Sequence, residues 1–400
     1  MTKNLILLVI SALLLFIIVI TGPTAEAKTT NNSDLEVAGW VPYWRLSEGS
    51  KSAKRQLKKL DTIYPFVYSV TTEGELKDLG NLKNKDWQRL TKAAKTKRVE
   101  IIPTVMWSSG TDIHRLLSDP ELRENHIKAI TKMVRKGKYA GVDIDYEGKQ
   151  AATKDYFSLF LAELKNELGQ KKLVCTIEAR TPPASLYRVL PPVIAYANDY
   201  EAIGQYCDVV QIMAYDQQRA DILLNDARKG APYAPTADVN WVRKVVELTT
   251  ATIPAEKIML GIPTYGAEYE IVVSPNWYQR YSKLWALNPE YGLDTAKKFK
   301  TEPSRNQAGE LSLSYQANPT LTPITSLLSV PKNTPSGEVA AAQALAYANL
   351  TGQTITVNYL SWSDSGAVKA KIDLARELGL RGVSLFKIDG GEDKKIWSLF

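Results

Sequence analysis

Eight short apolar runs separated by amphipathic stretches constrain this chain more than any other feature. They are VAGWVPYW (37–44), DTIYPFVYSVT (61–71), VEIIPTVMW (99–107), AGVDIDYE (140–147), KLVCTIEAR (172–180), DVVQIMAYD (208–216), KIMLGIPTYG (257–266) and RGVSLFKID (381–389). Between most of them the apolar period becomes helical. Asp155 to Leu168 sets Phe157, Phe160, Leu161 and Leu164 on one face, and Ala367 to Leu378 does the same with Ile372, Leu374, Ala375 and Leu378. Such alternation implies a parallel sheet with crossover helices. Eight units in about 360 residues predict a closed (β/α)8 TIM barrel over 37–400 rather than an open sheet.

One interval is too long for a loop. About 267–358 contain Trp277, Tyr278, Tyr281 and Trp285, an alternating GELSLSYQA (309–317), a proline-rich stretch (319–335), an alanine-rich segment (337–349) and TITVNY (354–359). Structureless loops of that length are uncommon. We expect a small α+β insertion between strand seven and helix seven, on the catalytic face.

The fourth run carries the chemistry. Side chains alternate faces along a strand. Asp143, Asp145 and Glu147 therefore share one face, and Val142, Ile144 and Tyr146 the other. In a barrel the apolar set packs under the helices. The acids point inward, with Glu147 at the C-terminal mouth, where barrel active sites lie. Carboxylates lined up in low dielectric resist ionisation, so at least one pKa rises. That keeps Glu147 protonated near neutral pH, as a general acid must be.

This run resembles the D-G-x-D-x-D-x-E signature of glycoside hydrolase family 18, a family of chitinases and some spore-wall peptidoglycan hydrolases. Gln211-Ile212-Met213-Ala214-Tyr215-Asp216 resembles its Q-x-M-x-Y-D, Lys257 to Gly266 its seventh strand, and Trp362 to Asp393 the closing region of its spore-germination branch. The resemblance spans about Val37 to Phe400. Two positions depart from it. Ala140 replaces the first aspartate of the signature; by parity it lies opposite the acids. Phe386 stands where strand eight usually has tryptophan, which weakens the aromatic floor under the reacting sugar.

The resemblance implies hydrolysis of β-1,4 bonds next to N-acetylglucosamine in chitin or peptidoglycan-type glycans. It implies retention, with the substrate's own acetamido oxygen as nucleophile and an oxazolinium intermediate, an exception to the two-carboxylate scheme. Carried over by motif position, Glu147 protonates the leaving oxygen and later activates water. Asp145 orients the acetamido N–H, and Asp143 buffers the charge of Asp145. Gln211, Met213 and Tyr215 obey the two-residue period and are expected to face inward. The Tyr215 hydroxyl can hold the acetamido oxygen in line, and Met213 offers an apolar contact. Asp216 is carried over as a substrate contact, although its odd offset from Tyr215 turns it from the inward set if the strand stays regular. It is the only other nearby carboxylate in this reading. Phe386, Tyr43 and Trp107 complete the expected substrate contacts, within an aromatic cluster at strand ends that includes Trp44, Tyr265 and Trp362. Arg180 and Arg219 read as solvated loop charge. The alternative function is a non-catalytic, lectin-like barrel that binds chitin or wall glycan; the presence of Glu147 argues for the enzyme.

With two histidines and two cysteines, no metal or other cofactor is expected. Cys175 and Cys207 fall in strand-like runs and read as buried small apolar residues; a disulfide between neighbouring strands is the alternative. Lys3, an apolar run from Leu5 to Ile20 and Ala25-Glu26-Ala27 form the pattern of an export signal over residues 1–27. An uncleaved membrane anchor is the alternative, and residues 28–36 read as a linker. The barrel is thus expected outside the cell, secreted or in the cell wall, touching a membrane only through residues 1–27. The net charge of +7 is spread along the chain. Without a basic stripe interleaved with aromatics, the expected partner is a polysaccharide, not a nucleic acid, met by a monomer.

Overall fold

The computed structural model describes residues 35–400. The export-signal and anchor expectations, and the linker up to Asp34, lie outside the described residues. Among the described residues, eight parallel strands close into a barrel: β1 (Glu36–Pro42), β2 (Thr62–Val70), β3 (Thr104–Trp107), β4 (Gly141–Tyr146), β5 (Lys172–Glu178), β6 (Val209–Met213), β7 (Ile258–Pro263) and β8 (Gly382–Phe386). They pair in chain order, and β8 returns to β1. A short piece, Glu100–Ile101, pairs with β2 ahead of β3. The expected third strand is thus split at Ile102-Pro103, where proline has no N–H to give the ladder.

Outward side chains pack beneath helices. Helix Lys154–Leu168 buries Phe157, Phe160, Leu161 and Leu164, each stabilising by about 1.5–3 kcal/mol. Phe160 stacks on Tyr146 of β4 with centroids 5.7 Å apart. Inward side chains form layers. Ala38, Tyr64, Ile102, Val174, Val209 and Met259 pack together with Trp40 as an apolar floor. Above it lie the buried polar groups Thr104, Asp143, Thr176, Gln211 and Ser384. Ala140 packs against the floor cluster. Ala140 therefore does not lie opposite the acids as parity predicts: β4 begins only at Gly141, so alternation has not yet started.

The insertion is a five-stranded antiparallel sheet. Gly266–Ser274 follows β7 almost directly. It pairs with Trp277–Leu287 on one side and with Ile355–Trp362 on the other, and Leu311–Tyr315 and Ser304–Arg305 extend the sheet. Helix Val339–Thr351 lays Ala341, Ala344 and Ala348 against Tyr269, Ile271, Val357 and Tyr359. Small alanines let the helix approach the large sheet residues. The sheet runs to Trp362, four residues past the expected limit, and helix Ser365–Glu377 then leads to β8.

Cys175 of β5 and Cys207, just ahead of β6, form a disulfide with Cα atoms 6.0 Å apart. This corrects the reading of two separate apolar residues. Cys207 caps the end of helix Tyr200–Tyr206, and the register that pairs Cys175 with Val210 brings that helix end to β5. The separation lies within the range a disulfide spans.

Candidate active site

The acids of β4 form a ladder whose environment changes upward. Asp143 is fully buried in the polar layer. Its carboxylate accepts from Thr104 Oγ1 and Thr176 Oγ1, both at 2.7 Å, and from Trp40 Nε1 at 3.2 Å. Burial pushes its pKa up to about 6, although these donors oppose the rise. Gln211, expected to touch substrate, is instead fully buried beside this group. It donates to Thr176 Oγ1 and accepts from Ser384 Oγ. Its inward parity is as expected, but it sits too deep to reach the mouth and serves to orient the donors of Asp143.

One level up, Asp145 is almost fully buried, and its Oδ1 has no hydrogen-bond partner among the described residues. Burial, then the charges of Glu147 and Asp143, hold its carboxyl well above the ordinary range. Such an acceptor is costly unless a ligand donor meets it. Glu147 follows at the mouth, half-buried. Burial and then the Glu178 charge raise its pKa, with Lys149 opposing. The direction matches the requirement for a general acid.

The backbone holds Glu147 in place. Its N–H donates to the Trp107 carbonyl at 2.8 Å. Gly148 then turns with φ +64, a conformation glycine adopts without strain. A side chain on Gly110 would meet the Gly148 carbonyl at 2.2 Å, so the helix Gly110–Ser118 can start against this turn only with glycine there.

Two charged residues beside Glu147 were missed from the sequence. Glu178, at the inward end of β5, accepts from the Gly148 N–H at 2.9 Å and from Asn198 Nδ2 at 2.9 Å. Lys149 has a side chain only 1% exposed, with Nζ 3.7 Å from Glu178 Oε2. It also donates to the Tyr146 carbonyl and lies 4.6 Å from the centroid of the Phe157 ring. Burial would raise the Glu178 carboxyl, but Lys149 and the N–H donors outweigh it and hold it below the ordinary value. Burial lowers the Lys149 pKa despite its acidic neighbours. Glu178 shares the inward parity of Val174 and Thr176, which was a usable signal.

β6 does not stay regular. The N–H groups of Ala214 and Tyr215 bond back to the carbonyls of Ile212 and Met213, and Asp216 has φ +56. This corrects the expectation that parity would turn Asp216 away. It lines a cleft of roughly 410 Å³ with Trp44, Tyr265, Lys283 and Phe386, and lies 3.9 Å from Lys283 Nζ. Met213, at the end of β6, is half-buried and inward. The Tyr215 ring stacks on Phe386 at 5.3 Å and 12°. Its hydroxyl is pushed well above the ordinary range by burial and then by Asp145, so it remains a donor.

Phe386 also meets Trp40, Phe66 and Tyr265 edge-on at 5.7, 6.0 and 6.0 Å. The aromatic floor is thus built from several rings. Two expected contacts are corrected. Trp107 points outward, 5.6 Å from Tyr146 and buried under the helices, because Thr104 and Met106 take the inward phase of β3. Tyr43 packs against the main core; the neighbouring Trp44, edge-on to Phe66, lines the cleft instead. Trp362 is buried within the inserted sheet. Arg180 is not solvated charge but lies between the rings of Tyr196 and Tyr200 at 3.7 and 3.9 Å. Among the described residues no group of His, Cys, Asp and Glu is arranged to hold a metal ion.

A closed parallel barrel with an acid ladder rising to an aromatic cleft at its C-terminal mouth defines a barrel glycosidase. The family model "Glycosyl hydrolases family 18" matches residues 37–391, and the chain belongs to this family of glycoside hydrolases. A relative from Bacillus subtilis (strain 168), named "Putative sporulation-specific glycosylase YdhD", is 33% identical over 219 residues, covering 52% of this chain and 47% of that protein. The chain spans about half the length of the first curated relatives it matches. The "Cortical fragment-lytic enzyme" of the same organism is 22% identical over 92% of this chain and 72% of its own length. Among solved structures, a class V chitinase from Pseudomonas fluorescens Pf-5 matches with a TM-score of 0.68 at 21% identity, covering 91% of this chain and 98% of that chain, a likeness of fold.

Proposed function

We propose that this chain hydrolyses β-1,4 bonds next to N-acetylglucosamine by a retaining, substrate-assisted mechanism, and that its substrate is a wall glycan of the peptidoglycan type rather than chitin. The observation that carries the mechanism is the buried Oδ1 of Asp145, one level below Glu147 and without a partner among the described residues. It fits an acetamido N–H. The Tyr215 hydroxyl, kept protonated among the carboxylates, donates to the acetamido oxygen and holds it in line with the anomeric carbon. As that oxygen attacks, Glu147 gives its proton to the leaving oxygen, and an oxazolinium ion forms. Glu147 then takes a proton from water, which opens the ring with retention.

A conventional retaining pair needs a second carboxylate free to attack about 5 Å away. Glu178 is near, but both its oxygens are engaged by Gly148 and Asn198. Asp216 faces Lys283. Neither offers a better nucleophile than the acetamido group. The wall-glycan substrate draws support from relatives named for sporulation and for cortical fragments. The disulfide fits an oxidising compartment, which supports export through residues 1–27. Sequencing the mature N-terminus tests that reading: Lys28 first supports cleavage, and a full-length membrane-held product supports an anchor.

The mechanism is tested with N-acetylated and fully deacetylated oligomers of equal length, and the substrate with purified peptidoglycan, products being read by mass and proton NMR. Cleavage of the acetylated oligomer alone, with β-anomers first released, is expected. Rapid cutting of the deacetylated oligomer, or an initial α-anomer, would overturn substrate assistance. Cleavage of chitin oligomers with intact peptidoglycan would overturn the choice of substrate.

A further inference from the structure

Beside the active-site cleft lies a second one, of roughly 340 Å³, between the segment after β6 and the hairpin of the inserted sheet. Its lining includes Arg188, Arg219, Arg228, Lys229, Trp277 and Tyr281. Four cations meet only two carboxylates. Asp226 takes Arg188 at 2.9 Å and Lys229 at 3.2 Å, and Asp238 takes Arg228 at 2.9 Å. Arg219 is exposed and has no carboxylate partner among the described residues; its guanidinium lies 4.9 Å from the centroid of the Tyr281 ring. The Nε–H of Arg228 is buried without an acceptor among the described residues. Trp277 is 53% exposed, a large ring left uncovered at the edge of this basic surface.

The cleft connects to the catalytic centre through one strand. Lys283, beside Asp216, is two residues from Tyr281 on strand Trp277–Leu287. Two residues along a strand span about 7 Å and return to the same face. Tyr281 of the basic cleft and Lys283 of the Asp216 cleft thus lie on one face of one strand, so a single glycan chain running along that strand would pass both.

We propose that this second cleft is a subsite for a carboxylate-bearing sugar of the glycan, with Arg219 gripping the carboxylate and Trp277 covering the apolar face of the ring. Guanidinium forks match carboxylates, and aromatic faces suit pyranose faces. A neutral chitin chain gains the ring contact but not the charge. The proposal rests on the wall-glycan reading and deepens it: the cleft distinguishes glycans bearing lactyl or peptide-stem carboxylates from chitin.

The test compares the protein with its Arg219→Gln and Trp277→Ala variants on three substrates of matched length. These are wall glycan stripped of peptide, with free lactyl carboxylates, wall glycan with stems, and chitin oligomers. Arg219→Gln is expected to lower kcat/KM on a carboxylate-bearing glycan about tenfold, through KM, since hydrogen bonds to charged groups are the stronger ones. Chitin cleavage should be unchanged by it. The preference should shrink in about 0.5 M salt. Loss confined to stripped glycan assigns the lactyl carboxylate, and loss confined to stem-bearing glycan assigns the stem; either supports the subsite. Trp277→Ala should weaken all three substrates. Equal effects of Arg219→Gln on all three, or none, would overturn the proposal. If wall glycan is not cut at all while chitin is, the substrate reading fails by itself. Calorimetric binding of stripped glycan to the Glu147→Gln variant then decides the subsite: binding that Arg219→Gln weakens supports it, and no binding, or binding indifferent to that change, overturns it.

Discussion

Replacing Glu178 by glutamine should move the basic limb of the pH–rate profile down. The register that pairs Asp145 with Thr176 sets Glu147 beside Glu178 at the ends of β4 and β5. Neighbouring strands lie about 4.8 Å apart, which puts these carboxylates roughly 6 Å apart. At an effective dielectric near 20, such charges repel by about 2–3 kcal/mol. The Glu178 side chain is 38% exposed, and water screening reduces this repulsion without abolishing it. Glu147 acts first as an acid, so turnover falls as it loses its proton. In Glu178→Gln burial still raises its pKa, but the repulsion that adds to burial is gone, while the Lys149 ammonium still pulls it down. The amide oxygen can keep the bond to Gly148, so the turn survives. Lys149, buried without its counter-charge, should cost about 2–3 kcal/mol of stability. The assay is kcat/KM against pH on an N-acetylglucosamine oligomer, with Lys149→Met as a control expected to move the same limb upward. An unmoved limb in Glu178→Gln, or two variants shifting in the same direction, would refute the electrostatic coupling.

Glu147→Gln should fold normally, by circular dichroism, and lose at least about a hundredfold in kcat; wild-type turnover would remove the central assignment. Asp143 should leave a mark on stability against pH. Its folded pKa of about 6 exceeds its unfolded value. The proton is held longer in the fold, so stability is fully present below about pH 4 and lost as pH rises through about 6. Relative to Asp143→Asn, the wild type should lose up to about 3 kcal/mol over that window in urea unfolding; a constant gap would contradict it. The disulfide closes a loop of 32 residues, so Cys175→Ser/Cys207→Ser should cost about 3–4 kcal/mol in the same measurement. An unchanged urea midpoint would show that the bond does not constrain the unfolded chain.

The eight strands, the barrel, the inserted α+β unit and the acid ladder are legible in the chain's residue pattern. Each is written in a local period that survives whatever the rest of the chain does. On β4 the acids also declare which face is inward, so the order of Asp143, Asp145 and Glu147 could be read directly. β3 offers no such phase. Barrel strands are buried on both faces and read as nearly continuous apolar runs, so nothing in VEIIPTVMW tells Trp107 from an inward residue. That choice was made by the register that sets Thr104 beside Asp143 and Trp107 beside Tyr146. The position of Asp216 was settled where β6 abandons its alternation, beyond the reach of parity. Only the tertiary structure could bring Cys207 to Cys175, Glu178 to the Gly148 turn, and Arg219 to Tyr281. These pairs join segments distant in sequence, and the contacts exist only because β4, β5 and β6 pair side by side and the inserted sheet packs against the segment after β6.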